Sequence, residues 1–140
     1  TRFLMSLDEA VSLVKFAFND SSQGELFIQK SPACDILTLA KALLEIFNSN
    51  NEIIIIGSRH GEKLYESLLS REEMYRVIDH GKYFSLPLDN KDLNYKRFFD
   101  EGNQDVNRQK DYTSHNTTRY SVEEVKNKLL EQDYVKSFLK

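Results

Sequence analysis

A chain of 140 residues, 40% hydrophobic and 29% charged, is long enough to bury one core and too apolar to be a disordered polymer. Its formal net charge of -3 and pI of about 5.6 argue against a nucleic-acid partner, because the long-range field repels phosphate backbones and any anion site must be local. A single cysteine, Cys34, excludes an internal disulfide and a cysteine-rich zinc site and points to a reducing, cytoplasmic compartment. No apolar run approaches the roughly 20 residues of a membrane span, and the first residues show no basic segment followed by an apolar one.

The first six residues, Thr-Arg-Phe-Leu-Met-Ser, run apolar and extended up to a helix start without an initiator methionine in first place, so the chain is expected to be a piece of a longer protein. Ser6-Leu-Asp-Glu9 is a capping box, in which hydroxyl and carboxylate each accept from the other residue's backbone N–H. It predicts a helix with Leu7, Ala10, Val11, Val14, Ala17 and Phe18 on its inward face, ended by the polar run 19–24. Residues 25–29 read as a short strand. Asp35, following Ser31-Pro32, is the predicted N-cap of a second helix whose face is Ile36, Leu39, Ala40, Leu43 and Phe47. Residues 53–56, four consecutive isoleucines, have the pattern of a strand covered on both faces.

After a loop over residues 57–61, Leu64, Leu68 and Leu69 predict a short helix beginning near Glu62. Ser70-Arg-Glu-Glu73 is a second capping box, and residues 75–88 suggest extended segments. Residues 89–120 are polar, without a clean period, and form a long irregular segment of the kind that is usually functional or mobile. Ser121-Val-Glu-Glu124, a third capping box, opens a C-terminal helix from about 121 with Val122, Val125 and Leu129 inward. With no repeat, low-complexity tract or linker, residues 1–140 read as one α/β domain.

The stretch Gly57-Ser-Arg-His-Gly-Glu-Lys63 carries the chemistry. A helix starting after a strand leaves unpaired N–H groups and a partial positive charge at its first turn. Arg59 would add a planar fork of donors suited to a phosphate or carboxylate, and Gly61 would admit a ligand close to the backbone. Glu62 and Glu66 would accept from hydroxyls or hold Arg59 in place. The plainer alternative is that Arg59 and Lys63 are solvated or paired with Glu62 and Glu66, and that the glycines only turn the chain.

Nothing else in the sequence forms a catalytic constellation. His60, His80 and His115 lack the i, i+4 spacing of a helical metal pair, there is no Gly-x-Ser-x-Gly motif, and Gly57 and Gly61 do not have P-loop spacing. Tyr112-Thr-Ser-His-Asn-Thr-Thr-Arg119 gathers hydroxyls, an amide, an imidazole and a guanidinium in eight residues, which suits sugar or phosphate recognition or an ordinary solvated loop.

Six segments in order bear a resemblance: Thr1-Arg-Phe-Leu-Met-Ser-Leu-Asp-Glu-Ala10, Phe27-Ile-Gln-Lys-Ser-Pro-Ala33, Arg59-His-Gly-Glu-Lys-Leu-Tyr-Glu66, Arg71-Glu-Glu-Met74, Asp92-Leu-Asn-Tyr95 and Ser114-His-Asn-Thr117. Together the chain resembles the C-terminal part of the CapD/CapE-type capsular-polysaccharide enzymes. These are extended short-chain dehydrogenase/reductases that act as UDP-N-acetylglucosamine 4,6-dehydratases, some also as 5-epimerases, with members often labelled UDP-glucose 4-epimerase. The resemblance implies a small α/β substrate-binding domain lacking the Rossmann N-terminal region, with Arg59 on the diphosphate of a UDP-sugar and Glu62 on a sugar or ribose hydroxyl. His60, Gly61, His115 and Asn116 are the further substrate-binding candidates. The family's glycine fingerprint and Tyr-x-x-x-Lys pair are missing from this sequence, since none of its seven tyrosines has a lysine four residues on. Catalytic, metal and cofactor-binding residues are therefore expected to be none here, NAD(P) belongs to the parent enzyme, and the chain alone is expected to be inert.

The expected role is the UDP-sugar grip of a 4,6-dehydratase/5-epimerase in capsule or surface polysaccharide biosynthesis, with the same part of a UDP-glucose 4-epimerase as the alternative. An assembly domain without a ligand is the rival from another class. Expected partners are a UDP-sugar, the Rossmann region of the same protein and, at full length, further copies in a homo-oligomer.

Overall fold

A computed structural model describes residues 1–20, 22–88 and 108–139. The chain is mixed α/β, and its contacts gather into two units that are described separately. The first comprises Thr1–Ser6, Ser31–Glu66 and Ser114–Lys140, and the second Leu7–Lys30 and Ser67–Thr113.

In the first unit, strand β1 (Arg2–Phe3) pairs antiparallel with β3 (Ala33–Cys34), with Arg2 opposite Cys34. Ala33 is also bridged to Arg119, and its N–H and C=O bond Thr118 and Tyr120 at 2.8 and 2.9 Å. Helix α2 (Ile36–Ile46) follows at once. Asp35 caps it by accepting from the Thr38 N–H at 2.7 Å, as the sequence suggests. Helix α4 (Val122–Leu130) opens on the expected capping box of Ser121 and Glu124, and α5 (Asp133–Ser137) follows it. Cys34, Ala42 and Val125 form the buried centre, with Leu4, Leu39, Tyr120, Val122 and Leu129 packed around it. Burial and the neighbouring Asp35 carboxylate push the Cys34 thiol up, so it serves as a neutral packing group.

The inward face of α2 is rotated from the one predicted. Leu39 and Ala42 point to α4, while Ile36, Leu43 and Phe47 are exposed. The larger departure is at residues 53–56, where no strand forms and Ile54, Ile55 and Ile56 are 75%, 82% and 73% exposed. A strand meant for the middle of a sheet needs neighbours on both edges and cover on both faces, and the described residues provide neither. The helix predicted from Glu62 is likewise absent.

In the second unit, helix α1 (Leu7–Asp20) packs on β2 (Leu26–Gln29), which pairs antiparallel with β6 (Tyr83–Leu86), and β6 in turn with β5 (Ile78–Asp79). Phe16 provides the helix's contact, with ring centroids 5.6 Å from Phe27 and 4.6 Å from Tyr83. The expected inward face of α1 is open instead: Leu7, Val11, Val14 and Phe18 are exposed and no residue of the helix is fully buried. Helical period fixes which side chains share a face but not what covers it. Lys30 bonds both oxygens of Asp79 at 2.7 and 2.6 Å, tying β2 to β5.

Strand β4 (Ser67–Leu69), where a helix was predicted, pairs across a bulge with β7 (Tyr112–Thr113). Between them, α3 (Arg71–Met74) starts on the predicted capping box of Ser70 and Glu73. The expected irregular segment 89–120 is thus corrected at its end, where β7 and a tightly bonded turn stand; residues 89–107, including Asp92-Leu-Asn-Tyr95, lie outside the described residues. Among the described residues no helix is long and apolar enough to cross a membrane.

Candidate functional site

The predicted anion-binding stretch borders an open groove of about 810 Å³ in the first unit. Its apolar wall is built from Ile36, Leu37 and Ala40 on α2 and from residues 53–56, and its polar rim from Thr1, Arg2 and residues 57–64. Alternation of a greasy floor and a charged lip suits an amphiphilic ligand, such as a nucleotide with a phosphate end.

Gly57 and Gly61, at φ +76° and +77°, turn the chain through the left-handed region at either side of Arg59 and His60. A side chain added at either glycine would meet nothing within 4 Å, so conformation demands glycine here and crowding does not. Since no helix follows, a helix N-terminus adds nothing to the rim, and its positive charge comes from side chains alone. The one backbone bond inside the stretch runs from the Glu62 N–H to the Arg59 C=O at 3.1 Å.

The alternative in which Glu62 or Glu66 neutralises Arg59 is not what forms. Both carboxylates face Arg2: Glu62 Oε1 lies 3.6 Å from Nη2 and Glu66 Oε1 3.9 Å from Nε. The remaining oxygens are also used. Glu62 Oε2 accepts from the Arg59 backbone N–H at 3.1 Å, and Glu66 Oε2 from the Phe3 N–H at 2.8 Å. The Arg59 guanidinium and the Lys63 ammonium have no hydrogen-bond or ion-pair partner among the described residues, and both side chains are exposed. Of the plainer alternative, the solvated state of Arg59 and Lys63 is what the structure shows, and Arg59, His60, Gly61 and Glu62 share one rim of the groove.

His115 stands apart from the groove lining and reaches it through Thr1, whose hydroxyl shares a 2.9 Å hydrogen bond with His115 Nδ1. Its ring lies against Tyr65, centroids 4.8 Å apart and planes tilted by 37°. Asn116 does not line the groove either. Sequence reasoning missed Thr1, Arg2 and Ser114. Ser114 is fully buried; its hydroxyl accepts from the Glu66 N–H at 2.9 Å, its own N–H donates to the Glu66 C=O at 2.9 Å, and its Oγ lies 2.7 Å from Thr1 Oγ1. The sequence signal for this network is indirect: Thr1, Arg2 and Ser114 fall in segments that carry the resemblance and Glu62 and Glu66 form an i, i+4 pair, but the partners of that pair lie 48 to 64 positions away along the chain.

No group of three or more His, Cys, Asp or Glu residues that could hold a metal occurs among the described residues. Among the described residues, the positive-φ glycines Gly24, Gly57, Gly61 and Gly81 occupy separate turns, and none opens a helix on which a pyrophosphate could sit.

Comparison with known proteins identifies the class. The polysaccharide biosynthesis protein family matches residues 1–87, and the polysaccharide biosynthesis protein C-terminal family matches residues 89–136. The chain belongs to the polysaccharide biosynthesis protein family. It is 56% identical, over all 140 of its residues, to the UDP-glucose 4-epimerases of Rickettsia rickettsii and Rickettsia bellii. It spans about two-fifths of the length of these curated relatives, 41% in each case. Among solved structures it is similar to Pen from Bacillus thuringiensis, with a TM-score of 0.69 and 28% identity over 93% of this chain and 37% of that one.

Proposed function

We propose that this chain is the UDP-sugar-gripping part of a nucleotide-sugar enzyme of surface-polysaccharide biosynthesis, and that Arg59 is its contact to the diphosphate. The observation that carries the reading is the Arg59 guanidinium, exposed and without a partner among the described residues, with the Lys63 ammonium four positions on, along the polar rim of a groove large enough for a nucleotide. Two phosphates draw on fixed cations, and a guanidinium already committed to a carboxylate would have to break that pair first. The family match and the relatives named as UDP-glucose 4-epimerases support a UDP-sugar as the ligand class.

NAD(P) is proposed for the part of a longer protein beyond this chain, a Rossmann-type region, and no hydride step is assigned to the residues described above. That same region is the proposed partner of residues 53–56 and of the exposed α1 face. Homo-oligomerisation and a cytoplasmic setting are proposed with it. Within this reading, a 4,6-dehydratase/5-epimerase is what the resemblance implies, while the 4-epimerase reading draws on the printed name of relatives at 56% identity. Both begin at sugar C4, so the UDP grip is common to them. Products formed by the longer protein from UDP-glucose and from UDP-N-acetylglucosamine distinguish the two.

The test is a titration with UDP-N-acetylglucosamine followed by amide NMR, with NADP as the control. Shifts are expected at residues 57–64 with the UDP-sugar and not with NADP. Arg59→Ala should weaken binding by about 10- to 100-fold, the worth of a charge-assisted hydrogen bond, and leave the melting temperature unchanged. Normal binding by that variant would overturn the assignment.

A further inference from the structure

We propose that Ser114 is a positioning residue of the candidate site: its buried hydroxyl joins two edges of the polar rim, Thr1–Arg2 and residues 64–66, through a hydrogen-bond relay that ends on His115. The proposal deepens the reading of the groove as a UDP-sugar grip and rests on it. Ser114 is 0% exposed, so it acts only through what it holds. On one side its Oγ accepts from the Glu66 N–H at 2.9 Å, and its own N–H donates to the Glu66 C=O at 2.9 Å. On the other its Oγ lies 2.7 Å from Thr1 Oγ1 and 3.3 Å from the Thr1 C=O. Thr1, Arg2 and Leu64 line the groove, so the shape of its polar end depends on how these segments meet.

The hydrogens available fix the direction of the relay. The Ser114 hydroxyl has one, and the 2.7 Å contact to Thr1 Oγ1 is the stronger of its two outlets. Thr1 Oγ1, accepting there, passes its own hydrogen to His115 Nδ1 at 2.9 Å. The order is then Glu66 N–H, Ser114 O–H, Thr1 O–H and His115 Nδ1, in which each bond polarises the next and the neutral imidazole carries its hydrogen on Nε2. The His115 ring lies against Tyr65, between the two residues the junction holds: the Thr1 nitrogen donates to the Leu64 C=O at 2.6 Å, and Ser114 bonds Glu66. The turn that carries Ser114 is fixed from behind. There the Thr117 hydroxyl donates to the C=O of the buried Ser31 at 2.9 Å, and the Ala33 N–H to the Thr118 C=O at 2.8 Å. A rim held in this way before binding need not be ordered at the expense of affinity.

The experiment reads relay and affinity separately: nitrogen NMR of the His115 ring without ligand, under mildly alkaline conditions, and the dissociation constant for UDP. Nδ1 is expected as the unprotonated nitrogen. Thr1→Val, which keeps the shape and removes the hydroxyl, should shift its resonance, and Thr1→Ser should restore it. Ser114→Ala should weaken UDP binding about fivefold, and Thr1→Val/Ser114→Ala should bind no worse than Ser114→Ala alone. A hydrogen on Nδ1, or a ring unmoved by Thr1→Val, overturns the relay. Unchanged UDP affinity in Ser114→Ala overturns the positioning role. A further loss in the double variant does so too, because Thr1 would then act on the ligand independently of Ser114. If Ser114→Ala fails to fold, Thr1→Val carries the affinity test, with Thr1→Ser as its rescue. If the unaltered chain does not bind UDP, or Arg59→Ala binds it equally well, the functional reading fails, while the ring nitrogens still judge the relay.

Discussion

Residues 53–56 are four isoleucines, three of them at least 73% exposed, whereas Ser31, Ala33, Cys34 and Ser114 are all 2% exposed or less. The second set is smaller and more polar, yet it forms the interior. Its members have backbone partners: Ala33 bonds Thr118 and Tyr120, the Ser31 C=O accepts from the Thr117 hydroxyl at 2.9 Å, and Ser114 bonds Glu66. The isoleucines have no backbone hydrogen bond among the described residues. Hydropathy alone therefore does not decide burial here; a segment goes inside when its N–H and C=O groups are satisfied there.

The largest expected effect falls on the bonded side of this comparison. Val125→Ala removes two methyl groups from the fully buried centre between α2 and α4. It should cost about 2 kcal/mol by transfer and residual cavity, read as a lower denaturation midpoint at unchanged slope. A loss below about 0.5 kcal/mol would show that this centre is looser than its packing.

Asp35 comes next, since it joins the buried strand β3 to α2. Asp35→Ala should cost about 1 kcal/mol, the usual worth of an N-cap. The same group sets a pH dependence. The Thr38 N–H is the main cause, with the Thr38 hydroxyl and Arg119 assisting, that holds its carboxyl below the usual 3.8. The folded pKa is thus the lower one, so the contribution is fully present well above pH 3.8 and is lost as the pH falls from there through the folded value. Acid titration of the Thr38 amide shift, in the chain and in Asp35→Asn, checks the sign; a midpoint above 3.8 would contradict it.

What could be read in the sequence follows the range of the forces involved. The caps at Asp35, Ser70 and Ser121 and strand β2 were legible because hydroxyls, carboxylates and alternating side chains act within a few residues. The α1 face, the α2 rotation and strand β4 were misread because cover comes from elsewhere in the chain. Four isoleucines in a row are a good strand only beside other strands. For the candidate site, the rim residues Arg59 to Glu62 were legible as an exposed polar turn, but the engagement of Glu62 and Glu66 with Arg2 was not, because it closes across about sixty residues.

The smallest expected effect is the most informative one. Ile55→Ala alters a side chain that is 82% exposed, and in this chain it should change stability by no more than about 0.5 kcal/mol. The relatives are longer than this chain, which covers 41% of them. If a sheet in the longer protein takes up residues 53–56 as proposed, the same substitution there removes a buried β-branched side chain and should cost about 2 kcal/mol or more. Chemical denaturation of both forms measures the difference. Equal, small losses in both would mean that nothing covers the isoleucines, and the proposed partner would have to be abandoned. A large loss already in the 140-residue chain would instead place cover over residues 53–56 from within it, and the contrast with residues 31–34 would disappear.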